Sequence, residues 1–234
     1  MKNIKKLMIP AIVLSCLAFA ACEKLPLQKN DKYTPSYYDN KVNMNVMEFM
    51  NSRKDMFSGM LSAIDYVDKD PAYKDVKQMY SSTGNTFLLM HNNALVNLED
   101  GNSFFVKNTV LDKDPASPSY NTPIRGSDWS QYDRKIVADL LRYHVLKGTY
   151  DFKSLNSVGR WVDSYALSPT NDSAKVYIYM QATREGYLFI NNYVGTSMVE
   201  IRPRTPDLHA TNGVIHVMNR YFVMPTRKDI SNNK

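Results

Sequence analysis

From residue 43 onward the apolar positions follow two periods in succession. Val46, Met47 and Met50, then Met56, Phe57, Met60, Leu61 and Ile64, recur at three-and-four spacing, which predicts one or two amphipathic helices at the start of the folded body. Asp70–Pro71 punctuates that pattern, and Tyr73–Tyr80 predicts another short helix before Ser81–Asn85 turns the chain. Thr86–Met90 is a short β-prone apolar run of the kind that forms a buried strand, and Asn92–Leu98 predicts a helix lying on it. Between Glu99 and Gln131 there is little periodicity beyond Phe104–Val106, and Pro115, Pro118 and Pro123 argue against regular structure across much of the segment. Ile136, Val137, Leu140, Leu141 and Tyr143 form the next helical stripe, with Ser130 or Asp133 as its cap. The chain then passes directly into Val145–Tyr150, with Gly148 as the turn residue. In the final third the period becomes two. Lys175–Gln181 sets Val176, Ile178 and Met180 against Tyr177 and Tyr179, and Tyr187–Asn191, Ser197–Arg202 and Val214–Met224 continue the alternation between Asn- and Gly-containing turns. Helices in the first half and strands in the second predict an α+β fold rather than a doubly wound parallel sheet.

Upstream of residue 43 the chain reads differently. Met1–Lys6 carries three lysines, and Leu7–Ala21 is apolar and free of charge, yet shorter than the roughly 20 residues that a bilayer span takes. A basic start, a short apolar run and small residues at the end describe a secretory signal over residues 1–21. Ala20–Ala21–Cys22 resembles the lipobox of bacterial lipoproteins, with Phe19 where a Leu is usual; Cys16, after Leu14–Ser15, is a second candidate. Cys22 is then the expected lipidation site. Its acylation leaves no cysteine pair for an intramolecular disulfide in spite of an oxidising compartment. Residues 22–42 follow as a tether, with two prolines, no glycine and no apolar period. Fully stretched, such a segment reaches at most about 70 Å, so the body at 43–226 is expected to work close to the outer membrane, on the surface side in preference to the periplasmic one. Residues 227–234 are expected to be a C-terminal tail.

Charge and motifs narrow the function classes. Lys and Arg number 29 against 23 Asp and Glu, a formal charge of +6, and Lys2, Lys5 and Lys6 of the signal account for half of that excess. Basic residues so scattered among acids do not predict a nucleic-acid partner. The histidines His91, His144, His209 and His216 show no metal-ligand spacing, and no Gly-x-Ser-x-Gly elbow or phosphate-cradling glycine loop is present. Asp163, Asp172 and Glu185 read as solvated loop carboxylates before they read as a catalytic pair. No metal, no cofactor and no enzymatic activity are therefore expected; a hydrolase of unrecognised type is the third-ranked class.

Three segments carry a resemblance. Leu140-Leu141-Arg142-Tyr143-His144-Val145-Leu146-Lys147-Gly148-Thr149-Tyr150 resembles the Tyr-His segment of the fasciclin domain. Ala210-Thr211-Asn212-Gly213-Val214-Ile215-His216-Val217-Met218, running on to Pro225, resembles that family's closing segment, and Asn85–Leu89 with Ala94 resembles its first block. Met90 stands where the family has a proline, and Glu99–Gln131 makes a longer loop than usual. The resemblance implies a wedge-shaped β-sandwich with several helices packed around it, a role in adhesion or ligand contact, and a Tyr143–His144 pair of the kind associated with receptor adhesion.

The residues themselves give a second account of those segments. Period two puts Val214, His216 and Met218 on one face and Ile215 and Val217 on the other, so His216 is expected to be semi-buried and to need a hydrogen-bond partner. Asn212–Gly213 supplies a turn in which Gly is expected to take positive φ. Tyr143 and His144 mark the helix-to-strand switch, where a packed ring and a bonded imidazole fix the corner. For contact, the candidates are Tyr143, His144, Tyr120, Trp129, Trp161 and Tyr165, the tryptophans alternatively capping the core. The expected function is a lipid-anchored extracytoplasmic module that touches a protein or glycan. The alternative is an accessory surface lipoprotein of a TonB-dependent, SusC/SusD-like outer-membrane uptake complex.

Overall fold

The structure is a computed structural model that describes residues 39–183, 186–196 and 200–234. The chain divides into two units, Met1–Asp39 and Asn40–Lys234, and the fold is that of the second. Cys22, the signal and nearly all of the tether lie outside the described residues, as does Glu185.

The helical half forms as the spacing predicts. α1 (Val46–Ser52) starts at a reciprocal cap in which Asn45 Oδ1 accepts from the Glu48 amide and Glu48 Oε2 accepts from the Asn45 amide, each at 2.9 Å. α2 (Lys54–Asp68) buries Phe57, Met60, Ile64 and Val67 along one stripe. A 3-10 turn at Pro71–Tyr73 runs into α3 (Lys74–Met79). β1 (Asn85–Met90) is buried at every residue, because both of its faces are covered. α4 (Asn92–Leu95) is shorter than the periodicity suggests. Inside the proline-containing loop, α5 (Phe104–Lys107) is followed by the paired strands β2 (Val110–Leu111) and β3 (Pro123–Ile124). Pro123 thus does not exclude pairing: it sits at the first position of its strand, where a missing amide is tolerated. α6 (Arg134–Tyr143) is capped by Asp133, whose carboxylate accepts from the Lys135 amide at 2.7 Å.

The remaining strands build two open sheets. β4 (Val145–Lys147), β1, β9 (Gly213–Met218) and β8 (Thr205–Ala210) lie in the order β4-β1-β9-β8, and β5 (Arg160–Asp163), β6 (Lys175–Met180) and β7 (Leu188–Ile190) form the second. β1 pairs parallel with β9 from Asn85↔Gly213 to Met90↔Met218. Alternation then decides the layers. Phe87, Leu89, Val145, Ile215 and Val217 point to the helices, while Leu88, Leu146 and Met218 point to the opposite side, where they meet Val162, Val176, Ile178, Leu188 and Ile190 of the second sheet. Helices, four-stranded sheet and three-stranded sheet make an α+β fold, as expected.

Several boundaries depart from the sequence pattern. The strand expected over Val214–Met224 ends at Met218, and Val145–Tyr150 pairs only to Lys147, beyond which Gly148 turns at φ 105°. Of Ser197–Arg202, residues 197–199 lie outside the described residues and Ile201 makes a single bridge to Ile190. β5 and β8 have no period-two signature. β8 contains Pro206 and a bulge at which Asp207 takes φ 58°. Finally, the stretch expected as a tail holds a helix, α7 (Arg227–Asn232).

Candidate functional site

The signature residues are interior. Tyr143 is 1% exposed; its hydroxyl accepts from Asn191 Nδ2 at 2.8 Å and donates to the Lys175 carbonyl at 3.1 Å, which fastens the end of α6 to the second sheet. His144, with no exposed surface, donates from Nδ1 to the Leu140 carbonyl at 2.8 Å and packs against Phe222 with ring centroids 4.4 Å apart, while its Nε2 has no hydrogen-bond partner. Neither ring reaches solvent, so the contact role for which Tyr143 and His144 were candidates is closed to them in this conformation. His216 is fully buried and has both partners it needs: Nδ1 accepts from the Asp207 amide at 3.0 Å and Nε2 donates to the Tyr150 carbonyl at 2.8 Å. Burial lowers the pKa of His144 and of His216 from 6.5 to about 4, so both imidazoles are neutral.

Asn212 and Gly213 have roles that differ from a simple turn. Asn212 accepts on Oδ1 from the Val46 amide at 3.0 Å and donates from Nδ2 to the carbonyls of Tyr80 and Ser82 at 3.0 and 3.1 Å, joining the start of α1 and the end of α3 to the β8–β9 corner. Gly213 does not take positive φ. Its reason is space: a Cβ there would sit 2.2 Å from the Asn85 carbonyl oxygen across the parallel strand pair.

The aromatic candidates do not converge. Trp129 is 4% exposed, stacks among Phe104, Phe105 and Tyr132, and donates from Nε1 to the Gly59 carbonyl at 3.0 Å; it caps the core and offers no contact surface. Tyr165 is half-buried, its hydroxyl on Asn85 Oδ1 at 3.1 Å and the Lys147 ammonium 5.6 Å above its ring. Tyr120 stands 47% exposed in the loop between β2 and β3.

Trp161 belongs to a larger assembly. Cross-strand pairing sets it opposite Tyr177, and Tyr179 opposite Phe189, on the outer face of β5–β6–β7. Tyr193 closes the group: centroids are 5.0 Å apart for Trp161–Tyr177, 5.2 Å for Trp161–Tyr193, 5.9 Å for Tyr177–Tyr179 and 5.2 Å for Tyr179–Phe189. At the far end the Arg202 guanidinium lies 4.5 Å over Tyr187, which is 44% exposed. Gly159 makes room for this row, since a Cβ there would meet the Tyr177 hydroxyl at 2.1 Å. Tyr177, Tyr179, Phe189 and Tyr193 were not among the sequence candidates. The signal existed in the alternation of Lys175–Gln181, but it points to a site only when β5 is known to lie alongside. Among the described residues, no group of three or more His, Cys, Asp or Glu side chains is placed to hold a metal, and no helix is long and apolar enough to cross a membrane.

Fold and site together describe an α+β domain whose signature polar residues are structural and whose distinctive surface is a row of rings. Residues 124–225, somewhat under half of the chain, match the family model of the fasciclin domain, and that stretch is similar to the family. A solved FAS1 domain pair from the insect cell adhesion molecule Fasciclin I is similar at 15% identity and a TM-score of 0.44, the match covering 76% of this chain and 50% of that one. The chain thus spans about half the length of that structure. No curated protein matches it. Fasciclin domains are in general adhesion or binding modules.

Proposed function

We propose that this protein is a contact module of the cell envelope, held to the outer membrane by acyl chains on Cys22 with its domain facing the surface, and that it touches a partner protein through the outer face of β5–β6–β7. The observation that carries the reading is the row Trp161, Tyr177, Tyr179 and Tyr193, seated on the buried ring of Phe189, with the Arg202–Tyr187 pair at its end. Flat rings with polar edges, together with arginine, are the residue types that dominate protein contacts. The similarity to that family supports a binding rather than a chemical role.

The test is capture of envelope proteins by the purified domain and by Tyr187→Ala, a change at an exposed ring that leaves the core untouched. At a contact hot spot the substitution removes at least about 2 kcal/mol of binding, roughly thirtyfold, with an unaltered melting temperature. Equal capture by both proteins refutes the assignment of the face. Binding on a glycan array without protein capture transfers the partner to a different class, and co-purification with a TonB-dependent channel makes the protein an accessory lipoprotein of uptake. Mass spectrometry of Cys22 in protein from its native membrane reads the anchor directly; an unmodified thiol overturns it.

A further inference from the structure

The face of rings is not bare. α7 and the residues after it lie on its Trp161–Tyr193 end, held there by polar contacts and by Ile230, its one half-buried apolar side chain. Asn233 does most of this. Its Oδ1 accepts from the Val194 amide at 2.9 Å, its Nδ2 donates to the Val194 carbonyl at 3.1 Å, and its own carbonyl accepts from Trp161 Nε1 at 2.9 Å. The Tyr193 hydroxyl reaches Asp229 Oδ2 at 3.5 Å, and Arg227 Nε meets Asp172 Oδ1 at 2.6 Å between side chains 74% and 56% exposed. No residue of α7 is buried. A helix of this length does not hold itself in water, where about 12–15 residues are needed, and surface hydrogen bonds and ion pairs of this kind exchange readily for water. Immediately upstream the chain is fixed, with Phe222 fully buried and Pro225 buried as well. The segment therefore has a firm root, a pivot at Thr226 and a weakly held free arm.

We infer that residues 227–234 form a displaceable strap over the Trp161–Tyr177–Tyr193 face, and that this face accepts a peptide segment of the partner protein in the strap's place. The seated strap displays the chemistry that such a peptide has to bring: a backbone carbonyl for the indole N–H of Trp161, a carboxamide that pairs with both backbone groups of Val194, and a carboxylate within reach of the Tyr193 hydroxyl. The inference rests on the contact role proposed for this face and adds its regulation, because strap and partner compete for one set of donors and acceptors. It also favours a peptide over a sugar as ligand. The rings are tilted against one another, by 56° for Trp161–Tyr177 and 45° for Trp161–Tyr193, so they do not form the flat platform on which a pyranose stacks.

Hydrogen exchange at the two indole N–H groups tests the strap in the full chain. Trp129 Nε1 is bonded inside the core and Trp161 Nε1 to the strap, so Trp161 is expected to exchange at least ~100-fold faster than Trp129 and than the Leu88 amide, as local opening does. Asn233→Ala is expected to speed Trp161 by a further ~10-fold, the effect of losing one or two net hydrogen bonds, with Leu88 and Trp129 unchanged. Trp161 exchanging in step with Trp129 and Leu88 in the unaltered protein overturns the proposal, since the strap would then open only with the whole domain. A variant ending at Thr226 is expected to unfold as cooperatively as the full chain and to regain slow Trp161 exchange when given the synthetic peptide of residues 226–234. Failure of the peptide to protect Trp161 in that folded variant overturns the docking half. If strap opening and peptide rebinding both occur while neither the full chain nor the shortened one captures an envelope protein, the strap stands and the contact role proposed above falls.

Discussion

Acidification is expected to weaken this domain well above the carboxylate range, chiefly through two histidines, with His91, whose pKa burial also lowers, adding in the same direction. His144 and His216 are fully buried, and burial sets each at about 4 against 6.5 in the unfolded chain. Between those values the unfolded state binds a proton at each imidazole and the folded state does not, so stability is complete above pH 6.5 and declines as pH falls toward 4. At 1.36 kcal/mol per unit, each histidine costs about 2 kcal/mol by pH 5 and about 3 kcal/mol at the acid limit. Together they remove about 4 kcal/mol by pH 5 from a domain whose class is typically stable by about 5–15 kcal/mol. The surroundings of His216 do not cancel the effect: Asp207 and Asp151 favour its cation, His209 opposes it, and desolvation outweighs them all. Asp112, Asp128, Asp151 and Asp229 have pKa values held below the usual carboxylate value, so their contributions are present above about 3.9 and are lost below it, in a separate window. The assay is denaturant unfolding at pH 8, 6.5, 5.5 and 5, followed in parallel for His144→Gln, which should show about half the loss. A stability that stays flat from pH 8 to 5, or the same slope in the variant, refutes the reasoning.

Two substitutions address the corner between helices and sheet. Asn212→Ala leaves the Val46 amide and the carbonyls of Tyr80 and Ser82 without their partner, and is expected to cost about 3 kcal/mol, or about 6–12 °C in melting temperature; a loss under 1 kcal/mol would show that water replaces the amide there. Gly213→Ala forces a methyl against the Asn85 carbonyl and is expected to cost at least about 2 kcal/mol, whereas Gly101→Ala, with no atom within 4 Å of the new Cβ, is expected to be neutral or stabilising by about 0.4–1 kcal/mol. Equal effects of the two in thermal unfolding would contradict the steric account.

What the sequence disclosed was what one periodicity can carry. The stripes of α2 and α6, the apolar run Phe87–Met90 of β1 and the alternation of β6 and of the first half of the β9 stretch are local patterns, and an element forms at each. β8 was illegible because Pro206 and the left-handed Asp207 break its alternation; what makes it a strand is distant, namely its pairing with β9 and the Asp207 amide on His216. β5 shares that blindness, and with it went the ring row, since Trp161 becomes a neighbour of Tyr177 only through cross-strand register. The helix α7 was missed for another reason. It has no apolar stripe, only a capping box from Thr226 and Asp229 and the side chains that receive it. The same limit governs Tyr143, His144 and Trp129, whose residue types suit a surface and an interior equally; their burial is a property of the assembled layers.

The two strands at the middle of the larger sheet come from opposite ends of the domain. Without residues 85–90, β4 and β9 would each face an empty slot, so the family-matched stretch that starts at residue 124 is not a folding unit by itself. During synthesis β5–β6–β7 can pair early, but the four-stranded sheet cannot close until residue 218 has emerged. A chain built this way closes its central sheet late, through contacts between residues more than a hundred positions apart, and that order makes its folding slow.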